Sequence, residues 1–347
     1  MASDARRQPL PIIRFCRQYL QLESDLAYPD GILLRDERSQ EFLYEKLFSP
    51  NAISRPAPPR YQLEALKNLV TRIEGAIEDW DEHGISDSLM TALSRLMSLP
   101  LPSETTAALQ KSYVTYYQSL LPDPDPAASD PTITLLESRS LISAAGTTGL
   151  RTWEASLHLG QYLCVDPAIV RDRRVLELGA GTGYLSILCT KYLGAIHVVA
   201  SDGSDDVINN LPDSLFINGL QGSDRIAPMD LKWGHALVGT EEPAWNGGRE
   251  IDVVLGADIT YDKALIPPLV GTLEELADLF PEVQILISAT ERNRDTFRHF
   301  LDVCQRSAFT VELVDFRVPR PEEQIGPFYG GGIPIHICRL RRLRRHY

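Results

Sequence analysis

A chain of 347 residues, 44% hydrophobic and 23% charged, can bury a sizeable core, and no apolar run in it is long enough to cross a bilayer. Against 47 acidic residues stand 34 lysines and arginines, and the resulting formal charge of −13 argues against a general nucleic-acid binder while leaving a basic protein partner open. The 5 cysteines are dispersed and never form CxxC, so neither a disulfide framework nor a zinc site is suggested.

The N-terminal apolar patch is too short for a secretory signal, and a cytoplasmic protein with no bound metal and no membrane contact is expected. Helical periodicity fills the first third of the chain. Ile12, Phe15, Cys16, Tyr19 and Leu20 recur at that spacing, as do Phe42, Leu43 and Leu47, and then Leu63, Leu66, Leu69, Val70, Ile73 and Ile77. Two more helices are predicted over 86–99 and 104–121, the second with Ser103 as N-cap after Pro102. LPDPDPAASDP at 121–131 then breaks any period, because alternating prolines remove backbone donors. Three parts are therefore expected: a helical N-terminal domain over 1–122, a Pro/Asp-rich linker over 123–131, and a second domain over 132–347.

Beyond the linker, strands alternate with helices, the pattern of a parallel sheet with crossover helices. Strands are predicted at 174–178, 197–201, 225–231, 251–257, 283–289, 310–317 and 335–340. Helices are predicted at 153–163, 184–193, 205–218, 264–280 and 292–307. No helix is evident before the last strand. Pro319, Pro321, Pro327 and the run Gly330, Gly331, Gly332 suit a long hairpin-like connection and an antiparallel final strand. Arg339, Arg341, Arg342, Arg344 and Arg345 end the chain, and a solvated strand end accounts for them.

VLELGAGTGYLSI, at 175–187, places Gly179, Gly181 and Gly183 between a strand and a helix. Glycine allows a tight turn and close approach of a ligand, and the helix N-terminus offers free N–H groups. A dinucleotide fingerprint would carry its final glycine where Tyr184 stands, and a Walker lysine is absent. Asp202, at the end of the second strand of this domain, can accept both ribose hydroxyls of a nucleoside, a role shared by NAD and S-adenosylmethionine sites. Glu177 would repel a pyrophosphate but could support a cationic methionine group, directly or through water.

LELGAGTG at 176–183, VVASDGS at 198–204, LKWG at 231–234 and GADITY at 256–261 together resemble the seven-β-strand protein-lysine methyltransferases of family 16. GTTGLRTWEASLHLGQYL, at 146–163, resembles the branch of that family acting on translation elongation factor 2. The resemblance implies an α/β Rossmann-like sheet of seven strands, the last antiparallel, with a helical N-terminal domain for substrate recognition. It implies S-adenosylmethionine as cofactor, elongation factor 2 as protein substrate, a monomer, and a trimethylated lysine as product. Carried over by position, Trp153 closes the cofactor pocket, Gly179, Ala180, Gly181 and Gly183 form its turn, Asp202 holds ribose, and Trp233 and Ala257 flank adenine.

Asp258 and Tyr261 match the family's DxxY pattern at the end of a strand, the edge where open α/β sheets place ligands. A lysine amine must be neutral to attack a methyl group, yet it arrives as an ammonium with an ordinary pKa of about 10.4. Asp258 alone would hold it charged, so docking and alignment are its expected roles, with desolvation favouring proton loss. Tyr261 can hydrogen-bond the amine and stabilise methylammonium forms by cation–π attraction. Two structural alternatives compete: Asp258 as a helix cap near Lys263, and Trp153 and Trp233 as core aromatics. A different folded substrate, such as a chaperone or another translation factor, and a non-catalytic binding module are the rival functional readings.

Overall fold

A computed structural model of the chain describes residues 8–103, 110–121, 130–138, 148–235, 237, 246 and 248–343. It divides into two compact units, Met1–Ser140 with Ile325–Phe328, and Leu141–Gln324 with Tyr329–Tyr347.

The first unit holds helices α1 (Leu10–Leu20), α2 (Gly31–Arg35), α3 (Glu37–Leu43), α4 (Pro59–Ala76) and α5 (Asp87–Ser98). Their starts follow local chemistry. Asp30, Asp36 and Ser86 each accept a backbone N–H of the first turn, while Pro59 opens α4, where a missing N–H costs nothing. The apolar stripes read from the sequence meet in one core, with Ile12, Phe15, Tyr19, Leu43, Leu66, Leu69, Ile73 and Leu89 fully buried.

The predicted helix over 104–121 is replaced by a strand, β1 (Ser112–Tyr117), although 104–109 lie outside the described residues. β1 pairs antiparallel with β2 (Thr132–Glu137), Val114 facing Leu135. SYVTYY is β-branched and aromatic, and its burial alternates with period two, which a strand satisfies and a helix does not. Thr115 and Thr134 hydroxyls meet at 2.9 Å, and Tyr116 Oη donates to Glu137 at 2.8 Å. The division at 122/132 expected from the prolines would therefore cut a hairpin; the first unit runs to Ser140, and 122–129 of the linker fall outside the described residues. This unit also takes in Ile325–Phe328. The Gln21 side chain accepts from Phe328 N at 2.8 Å, Ser119 N donates to Gly326 O at 3.2 Å, and Arg17 donates to Ile325 O at 3.3 Å.

The second unit opens with α6 (Glu154–Val165) and continues through β3 (Arg174–Leu178), α7 (Tyr184–Lys191), β4 (His197–Asp202), α8 (Asp205–Ile217), β5 (Ile226–Asp230), β6 (Val253–Ala257), α9 (Ile266–Leu279), β7 (Gln284–Thr290), α10 (Arg294–Arg306), β8 (Phe309–Val314) and β9 (Ile335–Arg342). These strands form a seven-stranded sheet in the order β5-β4-β3-β6-β7-β9-β8. β3 to β7 run parallel, and β9 enters antiparallel between β7 and β8. The expected fold stands, including the reversed final strand.

VVLGA of β6 is buried throughout, as a central parallel strand covered on both faces must be. The chain leaves β3 toward β4 on one side and returns to β6 on the other. The resulting switch point sits at the carboxyl edge, where a crevice opens. Arg339 and Arg342 lie within β9 and are ion-paired, Arg339 with Glu312 at 3.7 Å and Arg342 with Asp278 at 2.7 Å, while Arg344 and Arg345 lie outside the described residues.

Candidate functional site

At that crevice lies a cavity of about 340 Å³, the size of a small-ligand site. Its wall includes Trp153, Gly179, Ala180, Gly181, Asp202, Trp233, Ala257, Asp258 and Tyr261, nine of the residues singled out from the sequence. Glu177 and Gly183 are not among the lining residues.

The turn after β3 needs glycine for two separable reasons. Gly179 and Gly181 have φ of 67° and 54°, the left-handed region that a Cβ disfavours. A Cβ on Gly179 would also stand 2.5 Å from Ile259 Cγ2, and one on Gly181 3.0 Å from Gly149 O. Both would fill the cradle. Gly183 is also left-handed, with φ of 85°, but lies off the cavity wall: it caps α7, and a Cβ there would meet Leu211 at 2.9 Å.

Asp202 ends β4 at the cavity edge. Its carboxylate accepts from Gly181 N at 3.1 Å and Ser204 N at 3.0 Å, so backbone amides fix its orientation. Burial raises its pKa, and these bonds act the other way. Glu177 differs from expectation. It is 2% exposed and accepts from Ser186 N at 2.9 Å and from the Ser186 hydroxyl, so it ties β3 to the first turn of α7. Burial pushes its carboxyl up to about 8, the Ser186 bonds notwithstanding. It supports the turn from behind.

Trp233 lines the opposite side, and a Cβ on Gly179 would lie 3.5 Å from its ring. Its Nε1 is buried without a hydrogen-bond partner. A buried indole N–H ordinarily finds an acceptor, so an acceptor-bearing ligand suits this wall. The glycine cradle, the amide-held Asp202 and the orphaned indole together fit a nucleoside cofactor.

The Asp258 end of the cavity is built from side chains. Asp258 follows β6 with φ of 54°, a conformation Asp tolerates better than most residues. It is 8% exposed. Oδ1 accepts from Thr290 N at 2.9 Å; Oδ2 accepts from Thr290 Oγ1 at 3.0 Å and from Arg292 at 3.1 Å. Among the described residues Asp258 caps no helix: α9 starts at Ile266, and Asp262 accepts from Ala264 N at 2.8 Å in the turn before it. Tyr261 stands 54% exposed on the cavity wall. Trp153, at the N-cap position of α6, donates from Nε1 to Thr148 O at 2.9 Å.

Several contributors escaped the sequence reading. Arg292 donates to Asp258 and, at 3.0 Å, to Glu154; Thr152 and Thr182 hydroxyls meet at 2.7 Å beside the glycine turn. Arg292 stands just beyond a parallel strand's carboxyl end, a position that could have marked it. The cysteines take no part: all 5 are free and buried, and burial pushes Cys16, Cys164, Cys304 and Cys338 up to about 12. His158 is a core histidine, bonded to Phe316 O at 3.1 Å and lowered to about 4 by burial.

A parallel sheet with a reversed last strand, a glycine turn at its switch point and a carboxylate at the end of the neighbouring strand define an S-adenosylmethionine-dependent methyltransferase. Residues 136–307 match the family described as "Lysine methyltransferase". Over 329 residues the chain is 63% identical to "Protein-lysine N-methyltransferase EFM3" of Chaetomium thermophilum, spanning 95% of this chain and 97% of the relative. It is 29% identical to the human "Protein-lysine N-methyltransferase EEF2KMT", spanning 90% and 92%. Similarity to the Saccharomyces cerevisiae "Protein-lysine N-methyltransferase EFM3" is 32% over 198 residues, 53% of this chain and 57% of the relative. The chain belongs to the lysine methyltransferase family, and it is a protein-lysine N-methyltransferase using S-adenosylmethionine.

Proposed function

We propose that the protein substrate is translation elongation factor 2, one lysine of which is carried to the trimethyl state by a monomeric, cytoplasmic enzyme. The observation that carries this reading is the match to the human EEF2KMT, whose name points to that substrate and which aligns with 90% of the chain, more than the second unit alone could supply. That unit would serve substrate recognition, since a folded target offers a surface as well as a side chain.

The cofactor, when bound, supplies an electrophilic methyl group on its sulfonium. Asp202 would accept the ribose hydroxyls, Gly179, Ala180 and Gly181 would let the backbone approach, and Trp233 and Ala257 would flank adenine. Trp153 would close the pocket. Asp258 would draw in the lysine ammonium and align it, while the narrow cavity strips water and favours loss of its proton. In-line placement of the neutral amine then supplies most of the rate. Tyr261 would bond the amine and hold methylammonium products by cation–π attraction worth about 0.5–2 kcal/mol, which suits successive transfers to one lysine.

Incubating the enzyme and methyl-labelled S-adenosylmethionine with a lysate of cells lacking the gene tests this reading. One labelled lysine on elongation factor 2, lost with Asp258→Ala, is the expected result. Label on another protein would keep the enzyme and discard the target.

A further inference from the structure

Four charged groups meet beside the Asp258 end of the cavity. Asp258 follows β6, Glu154 and Arg151 flank Trp153 at the start of α6, and Arg292 stands between β7 and α10. Arg292 bridges Asp258 at 3.1 Å and Glu154 at 3.0 Å, and Arg151 lies 3.7 Å from Glu154. Their side chains are 6% exposed for Asp258 and 28–37% for the others, so solvent screens them only in part. Both guanidinium carbons also lie 4.9 Å from the centre of the Trp153 ring.

We propose that Arg292 is a positioning residue for methyl transfer: it balances the charge of Asp258 so that the bound lysine readily gives up its proton, and it steadies Trp153. The proposal rests on the reading of Asp258 as the acceptor-lysine carboxylate. Two carboxylates and two guanidiniums make a neutral quartet. An arriving ammonium is then the uncompensated charge, and releasing its proton to solvent restores neutrality. Without Arg292 the quartet carries a net negative charge, which stabilises the ammonium and stalls the nucleophile. The other groups facing this point are the Thr290 hydroxyl from β7, Tyr261 on the Asp258 loop, and Asp202 and Lys232 across the cavity. None of them bridges Asp258 to Glu154 as Arg292 does.

The opposed signs of two variants make the test. The pH dependence of kcat is measured with the full chain and the protein acceptor labelled in the lysate. Arg292→Ala is expected to move the acid limb of the profile to higher pH by about one unit, roughly a tenfold loss at neutral pH recovered in alkali. Glu154→Gln, which leaves net positive charge, is expected to move it to lower pH. Arg292→Lys keeps the charge but loses the planar contact with Trp153, so its profile should stay in place while the Kd for S-adenosylmethionine rises several-fold. Asp258→Asn run in parallel separates the failures. Profiles that do not move in Arg292→Ala and Glu154→Gln, with Asp258→Asn impaired, overturn the role of Arg292 alone. An unimpaired Asp258→Asn overturns the reading of Asp258 beneath it.

Discussion

The two ends of the cavity are made of different material. The glycine-turn end is mostly backbone: left-handed glycines, amides that orient Asp202, and a buried carboxyl behind the turn. The Asp258 end is a web of side chains in which Asp258, Thr290, Arg292 and Glu154 come from three separate stretches of sequence. Backbone geometry tolerates almost no substitution but is carried by a short motif, whereas a side-chain web can be retuned one charge at a time. This division suits an enzyme that keeps one cofactor while its protein-facing side is free to change.

Breaking the Asp258 end alone should give the largest effect. Asp258→Ala is expected to lower turnover by about 100-fold or more, the scale of a misplaced reactant, while S-adenosylmethionine affinity measured by calorimetry survives. Full turnover would remove Asp258 from the reaction. At the glycine-turn end, Gly179→Ala combines a strained φ with a Cβ 2.5 Å from Ile259, and should cost about 1–3 kcal/mol in thermal stability along with cofactor binding. If Gly179→Ala binds the cofactor normally, the close approach at that turn has no function. Asp202→Ala should weaken S-adenosylmethionine by about 1–3 kcal/mol, the worth of hydrogen bonds to a charged group, and an unchanged Kd would exclude it from the ribose site.

The smallest effect sharpens the comparison from behind the turn. Burial raises Glu177 from its ordinary 4.5 to about 8 in the folded chain, so the folded state holds a proton that the unfolded state releases. Its contribution to stability is complete below the unfolded value and is lost as pH rises through the folded one. Between about pH 5 and about pH 8 the melting temperature of the wild-type protein should therefore fall with rising pH relative to that of Glu177→Gln, the difference levelling off above about pH 8. Parallel slopes would show that Glu177 is ionised in the fold.

The sequence was most readable where one motif had to satisfy one local constraint. Gly179, Gly181, Asp202, Asp258 and Tyr261 all stand on the cavity wall, and each follows a strand end that apolar patterning had already located. The bridge from Arg292 to Glu154 spans 138 positions, and no periodicity reports such a contact. Glu177 was misplaced because a carboxylate in a motif reads the same whether it faces the ligand or the helix behind it. In β1, apolar residues dense enough for either period hid an alternation that became visible only with its partner strand.

Ile325–Phe328 gives the first unit a part encoded near the far end of the chain. On the ribosome, domains ordinarily fold in order of emergence. Here Gln21 and Ser119 must wait for Phe328 and Gly326 until the whole of the catalytic sheet except β9 has been synthesised. The helical unit can collapse early but is finished late, so a product truncated before residue 325 is defective in both units.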